Sequence, residues 1–206
     1  MQGHTLNMGA YSLYCSGNTT ITGGTITGSK ATIYGYNNGV IEYYASSTVK
    51  LMNMIVKATG SAAAVYCGSG AYLESDSNHD ALYISNSTIC NTGVGAAIYA
   101  GGHQIYNVRI TDSSQVYSTA GSRYSVIETV GINKGKVQYR HPYAVFSTYA
   151  NIITESGTVI RNNNYERLVE SYYGNVTIDT DSYVEGTLVP GQGTCLLYTS
   201  PSPRDP

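Results

Sequence analysis

The chain has 206 residues, a net charge of −2 and only 12% charged residues, which excludes an electrostatic nucleic-acid binder because such a protein needs a basic face. Apolar residues make up 42% of it, enough to build a core and too many for a chain disordered by composition. The 21 Tyr and 23 Gly stand against one Phe and no Trp, and the strand formers Thr, Val, Ile and Tyr outweigh the usual helix fillers.

In chain order, the opening MQGHTLNMGAYSLYCSGN lacks a basic start followed by an apolar run, so an export signal is expected outside this chain. No run reaches the roughly eighteen apolar residues of a membrane span, and no membrane insertion is expected in this segment. A short unit then recurs: an aliphatic residue, an aromatic, a small residue. It reads Leu13-Tyr14-Cys15, Ile33-Tyr34-Gly35, Val65-Tyr66-Cys67, Ile98-Tyr99-Ala100, Val116-Tyr117-Ser118 and Val145-Phe146-Ser147. A second unit, two apolar residues and a glutamate, follows several of these as Val40-Ile41-Glu42, Tyr72-Leu73-Glu74, Val126-Ile127-Glu128 and Leu168-Val169-Glu170.

The self-similarity is strongest at an offset of 33 residues, where Leu51 matches Ile84, Asn53 matches Asn86, Val56 matches Ile89, Gly60 matches Gly93 and Val65-Tyr66 matches Ile98-Tyr99. A constant skeleton with variable spacers means short strands joined by loops of free length. Alternation along a strand puts the aliphatic and small residues on one side and the tyrosine on the other. Runs this short cannot fold alone, but stacked coils bury a continuous core and pair each coil's backbone with its neighbours. The expected fold is therefore an all-β, single-stranded, right-handed parallel β-helix with coils of roughly 20–33 residues. An antiparallel sandwich shows alternation too, but does not need the same residue types at the same offsets.

The phrase TTITGGTITGS, the strand-turn-strand unit built around Asn and the Tyr-, Ser-, Thr- and Asn-rich filling resemble the right-handed parallel β-helix repeats of bacterial surface proteins, adhesin-like and autotransporter-passenger-like, with a fold shared by pectate lyases and phage tailspikes. The resemblance covers about residues 5 to 190. It implies an extracellular or cell-surface location and a polysaccharide or a partner surface protein as ligand. It does not extend to the Asp-His dipeptide of the pectate lyases or the paired Asp-Asp and Gly-His-Gly of the polygalacturonases, neither of which occurs here.

Tyr14, Tyr34, Tyr66, Tyr99 and Tyr117 are the candidate binding face, because a tyrosine ring offers a flat apolar plate and a hydroxyl. Asn53, Asn86 and Asn107, each two residues after an aliphatic one, are expected to form a structural ladder, since Asn tolerates left-handed backbone and its amide can bond from coil to coil. Glu42, Glu74, Glu128 and Glu170 could form an acidic column holding calcium, although like charges stacked at about 4.8 Å repel. The segment from Glu74 to Asp80 is a polar loop. Glu74, Asp76, His79 and Asp80, with Arg140, form the alternative catalytic set of a polysaccharide lyase or hydrolase. A phage tailspike or tail-fibre segment is a third reading. No cofactor is required by the binding-face reading. Cys15 and Cys67 fall in the same inward slot, two coils and roughly 9–10 Å apart, too far for a disulfide, so free packing cysteines are expected.

The last stretch, CLLYTSPSPRD from Cys195 to Asp205, breaks the pattern. It resembles, residue by residue, the in-frame translation of a common transposon-based sequencing adapter. The expected organisation is a β-helix fragment over 1–194 followed by a non-native tail over 195–206.

Overall fold

The computed structural model describes residues 1–31, 38–68, 79–101, 106–118, 126–128, 138–140, 145–147, 151–162, 169–171, 175–185, 188–190 and 196–198. These residues form strands and turns, with no helix among them.

Three parallel sheets carry the fold. The first contains β1 (Thr5–Asn7), β4 (Thr25–Gly28), β7 (Ile55–Ala58), β10 (Thr88–Asn91), β13 (Gln115–Ser118), β18 (Val159–Asn162) and β21 (Tyr183–Glu185). The second contains β2 (Leu13–Cys15), β5 (Gly39–Tyr44), β8 (Ala63–Gly68), β11 (Ile98–Ala100), β16 (Val145–Ser147), β19 (Val169–Ser171) and β22 (Leu188–Pro190). The third contains β3 (Thr19–Thr22), β6 (Val49–Met52), β9 (Asp80–Ser85), β12 (Asn107–Thr111), β17 (Asn151–Thr154), β20 (Val176–Ile178) and β23 (Leu196–Tyr198). The chain visits first, second and third sheet in strict rotation. One excursion interrupts it: the antiparallel pair β14 (Val126–Glu128) and β15 (Gln138–Arg140) lies between β13 and β16. This is an all-β parallel solenoid.

Inward positions stack into aliphatic columns. In the first sheet Ile26, Val56, Ile89, Val116 and Ile160 follow one another in register and are fully buried. In the second, Ile41, Val65 and Ile98 do the same, and in the third Val49, Leu82, Val108, Ile152 and Val176. Each such side chain contributes about 1.5–3 kcal/mol of burial, and the column keeps short strands together that could not persist singly.

The coil lengths can be read from the first sheet's register. They are 20 residues from Thr5 to Thr25, 30 to Ile55, 33 to Thr88, 27 to Gln115, 44 to Val159 and 24 to Tyr183. The expected upper limit of about 33 fails once, at the coil of 44, because that coil carries the β14–β15 excursion. The matches at offset 33 are real register partners: Leu51 pairs Ile84, Val56 pairs Ile89 and Val65 pairs Ile98.

The first five turns from the third sheet to the first use left-handed backbone. Gly23 and Gly24, then Asn53 and Asn86, then Asp112 with Ser113, then Ser156 with Gly157 all have positive φ, with Asn53 at 54° and Asn86 at 43°. Inside these turns runs a buried hydroxyl ladder. Ser87 Oγ accepts from the Met54 amide at 3.2 Å, Ser114 Oγ accepts from the Ser87 amide at 3.2 Å, and Thr158 Oγ1 donates to the Ile110 carbonyl at 2.8 Å. The Ser87 and Ser114 hydroxyls satisfy backbone amides in the turns, while the Thr158 hydroxyl adds a second donor to an Ile110 carbonyl that also accepts from the Glu155 amide.

Cys15 and Cys67 do share one inward column, but Tyr43 separates them rather than Gly35, which lies outside the described residues. Cys15, Cys67 and Cys90 are free and buried. Burial pushes the Cys67 thiol up to about 11, against hydrogen bonding to Tyr43 and Tyr106 that pulls it down.

Leu196–Tyr198, inside the stretch read as adapter-derived, pairs with β20. An open parallel edge offers unpaired N–H and C=O groups to any extended tripeptide, so this pairing is independent of where the tripeptide came from. Cys195 and residues 199–206 lie outside the described residues.

Candidate functional site

The outward face of the second sheet carries the tyrosines. Its register places Tyr14, Glu42, Tyr66, Tyr99, Phe146 and Glu170 in one column. Beside Glu42, two residues further along β5, stands Tyr44, in register with Gly68.

Two glycines shape this surface. A Cβ at Gly68 would come 3.3 Å from ring carbons of both Tyr44 and Tyr66, and one at Gly101 would come 3.0 Å from Tyr99 Cε1. Residues two apart in a strand share a face, so a ring can lie down over a following glycine where any larger residue would hold it upright. Tyr66 and Tyr99 settle this way with ring centroids 5.6 Å apart and planes inclined by 38°. Tyr14 and Tyr44 meet edge to face at 5.8 Å. Tyr14 is 50% and Tyr44 49% exposed. The four tyrosines therefore form a strip of two ring pairs on the adjacent strands β2, β5, β8 and β11, with Gly68 lying against both Tyr44 and Tyr66 where the pairs adjoin.

At the strip's interruption, Glu42 is held rigidly. Its Oε1 accepts from Ser12 Oγ at 2.5 Å, Lys30 Nζ at 2.7 Å and the Gly39 amide at 3.1 Å. Burial pushes this carboxyl up, but the donors from Lys30, Ser12 and Gly39 outweigh burial and leave it below its ordinary range. The Tyr14 phenol is raised, first by desolvation and then by Tyr44 and the Glu42 carboxylate.

Two members of the expected face are not part of this strip. Tyr117 belongs to β13 in the first sheet, in register with Cys90. The aliphatic-aromatic-small triplet is what any strand with two inward positions requires, so the triplet does not say to which sheet it belongs. Tyr34 lies outside the described residues, and the next strand of the column after β2 is supplied by Ile41-Glu42-Tyr43 instead.

The expected asparagine ladder divides into two. Asn86 Nδ2 donates to Asn53 Oδ1 at 2.7 Å on the exposed turn. Asn107 is elsewhere: it opens β12, while the turn position after Asn86 is taken by Asp112 and Ser113. It belongs to a second column, Asp80, Asn107, Asn151, Asn175. There Asn107 Nδ2 donates to Asp80 Oδ1 at 3.1 Å, Asn151 Nδ2 to Asn107 Oδ1 at 3.1 Å, and the Asn175 amide to Asn151 Oδ1 at 3.0 Å. Asn107 has no left-handed backbone and stands in β12 where the pairing with β9 shifts register, so its side chain bridges neighbouring strands rather than shaping a turn.

Of the alternative catalytic set, Glu74 and Asp76 lie outside the described residues. His79 Nε2 lies 2.8 Å from the Ala45 carbonyl oxygen. Asp80 is not in a loop but begins β9, where its Oδ2 accepts from Arg109 Nε at 2.9 Å, and Arg109 Nη1 also donates to Glu155 Oε1. The two carboxylates are engaged by one guanidinium. Arg140 falls on β15, its backbone opposite Val126 in the antiparallel pair. Among the glutamates, Glu42 and Glu170 share a column but three aromatic positions separate them, Glu128 is on β14, and Glu74 lies outside the described residues. No group of three or more His, Cys, Asp or Glu side chains placed to hold a metal ion occurs among the described residues.

Sequence reasoning did not find the Ser12–Lys30–Glu42 cluster, whose members lie on different segments and carry no shared motif. It also missed the hydroxyl ladder, whose signal was a Ser or Thr immediately before β10, β13 and β18. Comparison with protein-family models, with curated proteins and with solved structures found no match to this chain.

Proposed function

We propose that this segment is a non-enzymatic, adhesin-like module of an extracellular or cell-surface protein that binds carbohydrate through the tyrosine strip. The observation that carries the reading is the gathering of Tyr14, Tyr44, Tyr66 and Tyr99 as two ring pairs on four neighbouring strands, with Tyr66 and Tyr99 lying over Gly68 and Gly101. Flat rings of this kind stack on the apolar faces of pyranoses while their hydroxyls meet the sugar's own. A solenoid suits such a task because each added coil extends the platform without changing the core. The low charge of the chain fits a surface that works by stacking and neutral hydrogen bonding rather than by steering.

The test is a glycan array probed with the full chain and with a Tyr66→Ala/Tyr99→Ala variant. The native chain retains a defined set of oligosaccharides; the variant, with its melting temperature within a few degrees of native, loses them. A native chain that retains none, or a variant that retains the same set, sinks the reading.

A further inference from the structure

The tyrosine strip is broken at one point by a carboxylate. In register, Glu42 takes the place that Tyr14 holds on one side and Tyr66 on the other. The clamp described above falls entirely on one of its oxygens, Oε1. Among the described residues Oε2 accepts no hydrogen bond. The side chain is 21% exposed, so the group is not sealed from the strip's solvent side. Lys30, 18% exposed, donates to Glu42 and also to Ser12 Oγ at 2.5 Å. The ammonium balances the carboxylate, so the pair carries no net charge, and the ammonium lies on Oε1 while Oε2 is the acceptor that no described donor uses.

We propose that Glu42 is the specificity-determining residue of the strip: Oε2 accepts hydrogen bonds from the hydroxyls of an uncharged glycan stacked on Tyr14 and Tyr66, and the same charge rejects glycans bearing carboxylate or sulfate groups there. This rests on the carbohydrate-binding reading above. Sugar hydroxyls are donors, and a carboxylate oxygen is a stronger acceptor than a neutral one. The clamp on Oε1 fixes the side chain beforehand, so binding does not have to immobilise it. An anionic sugar group brought against Oε2 would lie nearer the carboxylate than the ammonium held on Oε1, and so would meet net repulsion there. A site built to pair with hydroxyls also discriminates against ligands that lack them at that point.

The experiment uses an array of immobilised oligosaccharides, one set neutral (hexoses and N-acetylhexosamines), the other matched in length and carrying uronates, sialic acids or sulfates. The native chain is expected to retain neutral members at least about tenfold more tightly than acidic ones. Glu42→Gln keeps the size of the side chain and one acceptor but removes the charge, and is expected to bring that ratio to within about threefold. Because Gln leaves Lys30 uncompensated, the Lys30→Gln/Glu42→Gln pair is measured alongside and is expected to give the same narrowing. Native hits that are mainly acidic, or a ratio unchanged in both variants while Tyr66→Ala still weakens binding, overturn the assignment of Glu42 and leave the strip reading standing. No hit of either kind on the native chain overturns both.

Discussion

Tyr99 rests on Gly101: a Cβ built on the glycine would stand 3.0 Å from the ring's Cε1 and 3.6 Å from its Cδ1. The neighbour that must yield is the end of a side chain, not backbone, so the fold tolerates a substitution that the ring does not. Gly101→Ala is expected to change unfolding free energy by less than about 1 kcal/mol while lifting the Tyr99 ring off the surface. If the strip binds glycan by stacking, the same variant should weaken retention about three- to tenfold. Denaturant titration and the glycan array measure the two effects. A stability loss with unchanged binding would mean that the flat ring serves packing alone.

Gly93 looks similar in sequence and behaves oppositely. Its Cβ would fall 2.3 Å from the Gly60 carbonyl oxygen and 2.5 Å from that of Thr59, and one at Gly60 would fall 2.0 Å from the Lys30 carbonyl oxygen. Here coil backbone presses on coil backbone, with nothing flexible to move. Gly93→Ala is expected to destabilise by about 2–3 kcal/mol, read as a lower denaturation midpoint, and a near-neutral result would show that the turns of adjacent coils can separate at small cost.

Asn86 has φ of 43° and hydrogen-bonds Asn53 one coil below. A β-branched residue there meets the steric penalty of left-handed backbone, roughly 1–2 kcal/mol, and also forfeits the bond. Asn86→Val is expected to cost about 2 kcal/mol. Asn86→Gly removes the strain and loses only an exposed bond, so it should lie within about 1 kcal/mol of native. Equal costs for the two variants would place the value of Asn86 in its amide rather than in its backbone.

How much of this was legible follows from what each residue encodes. Core columns were readable because Leu51 with Ile84 or Val65 with Ile98 repeat at the coil length itself, and buried aliphatic positions tolerate few alternatives. The turn asparagines were readable because Asn is one of the few residues suited to left-handed backbone. Sheet membership was not, as Tyr117 shows: outward positions are constrained only by solvent, and a triplet carries no label for its sheet. Glu42 was read as one of an acidic column, and its clamp by Ser12 and Lys30 was not legible. Its neighbours Val40 and Ile41 read as an ordinary strand start, while its partner Lys30 is brought to it across a coil whose path the sequence does not specify. Asp80 read as loop because a charged cluster precedes it, yet pairing with Asn107 and Arg109 draws it into β9.

Acid should report on the Glu42 cluster. Burial raises this carboxyl, but Lys30, Ser12 and the Gly39 amide together hold it below its ordinary value. The folded state therefore binds the proton less readily than the unfolded chain does. Its contribution to stability is present in full above the unfolded value of about 4.3 and is lost as pH falls through the lowered folded value. The Lys30→Gln/Glu42→Gln variant has no such contribution to lose. Near neutral pH it is expected to be less stable than native by about 1–2 kcal/mol, and the gap should close as pH falls below about 4, where the native cluster becomes protonated. Melting temperatures of both proteins across pH 3 to 7 give the comparison. A gap that stays constant over that range would mean that burial and the three donors cancel, leaving Glu42 to titrate as it does in the unfolded chain.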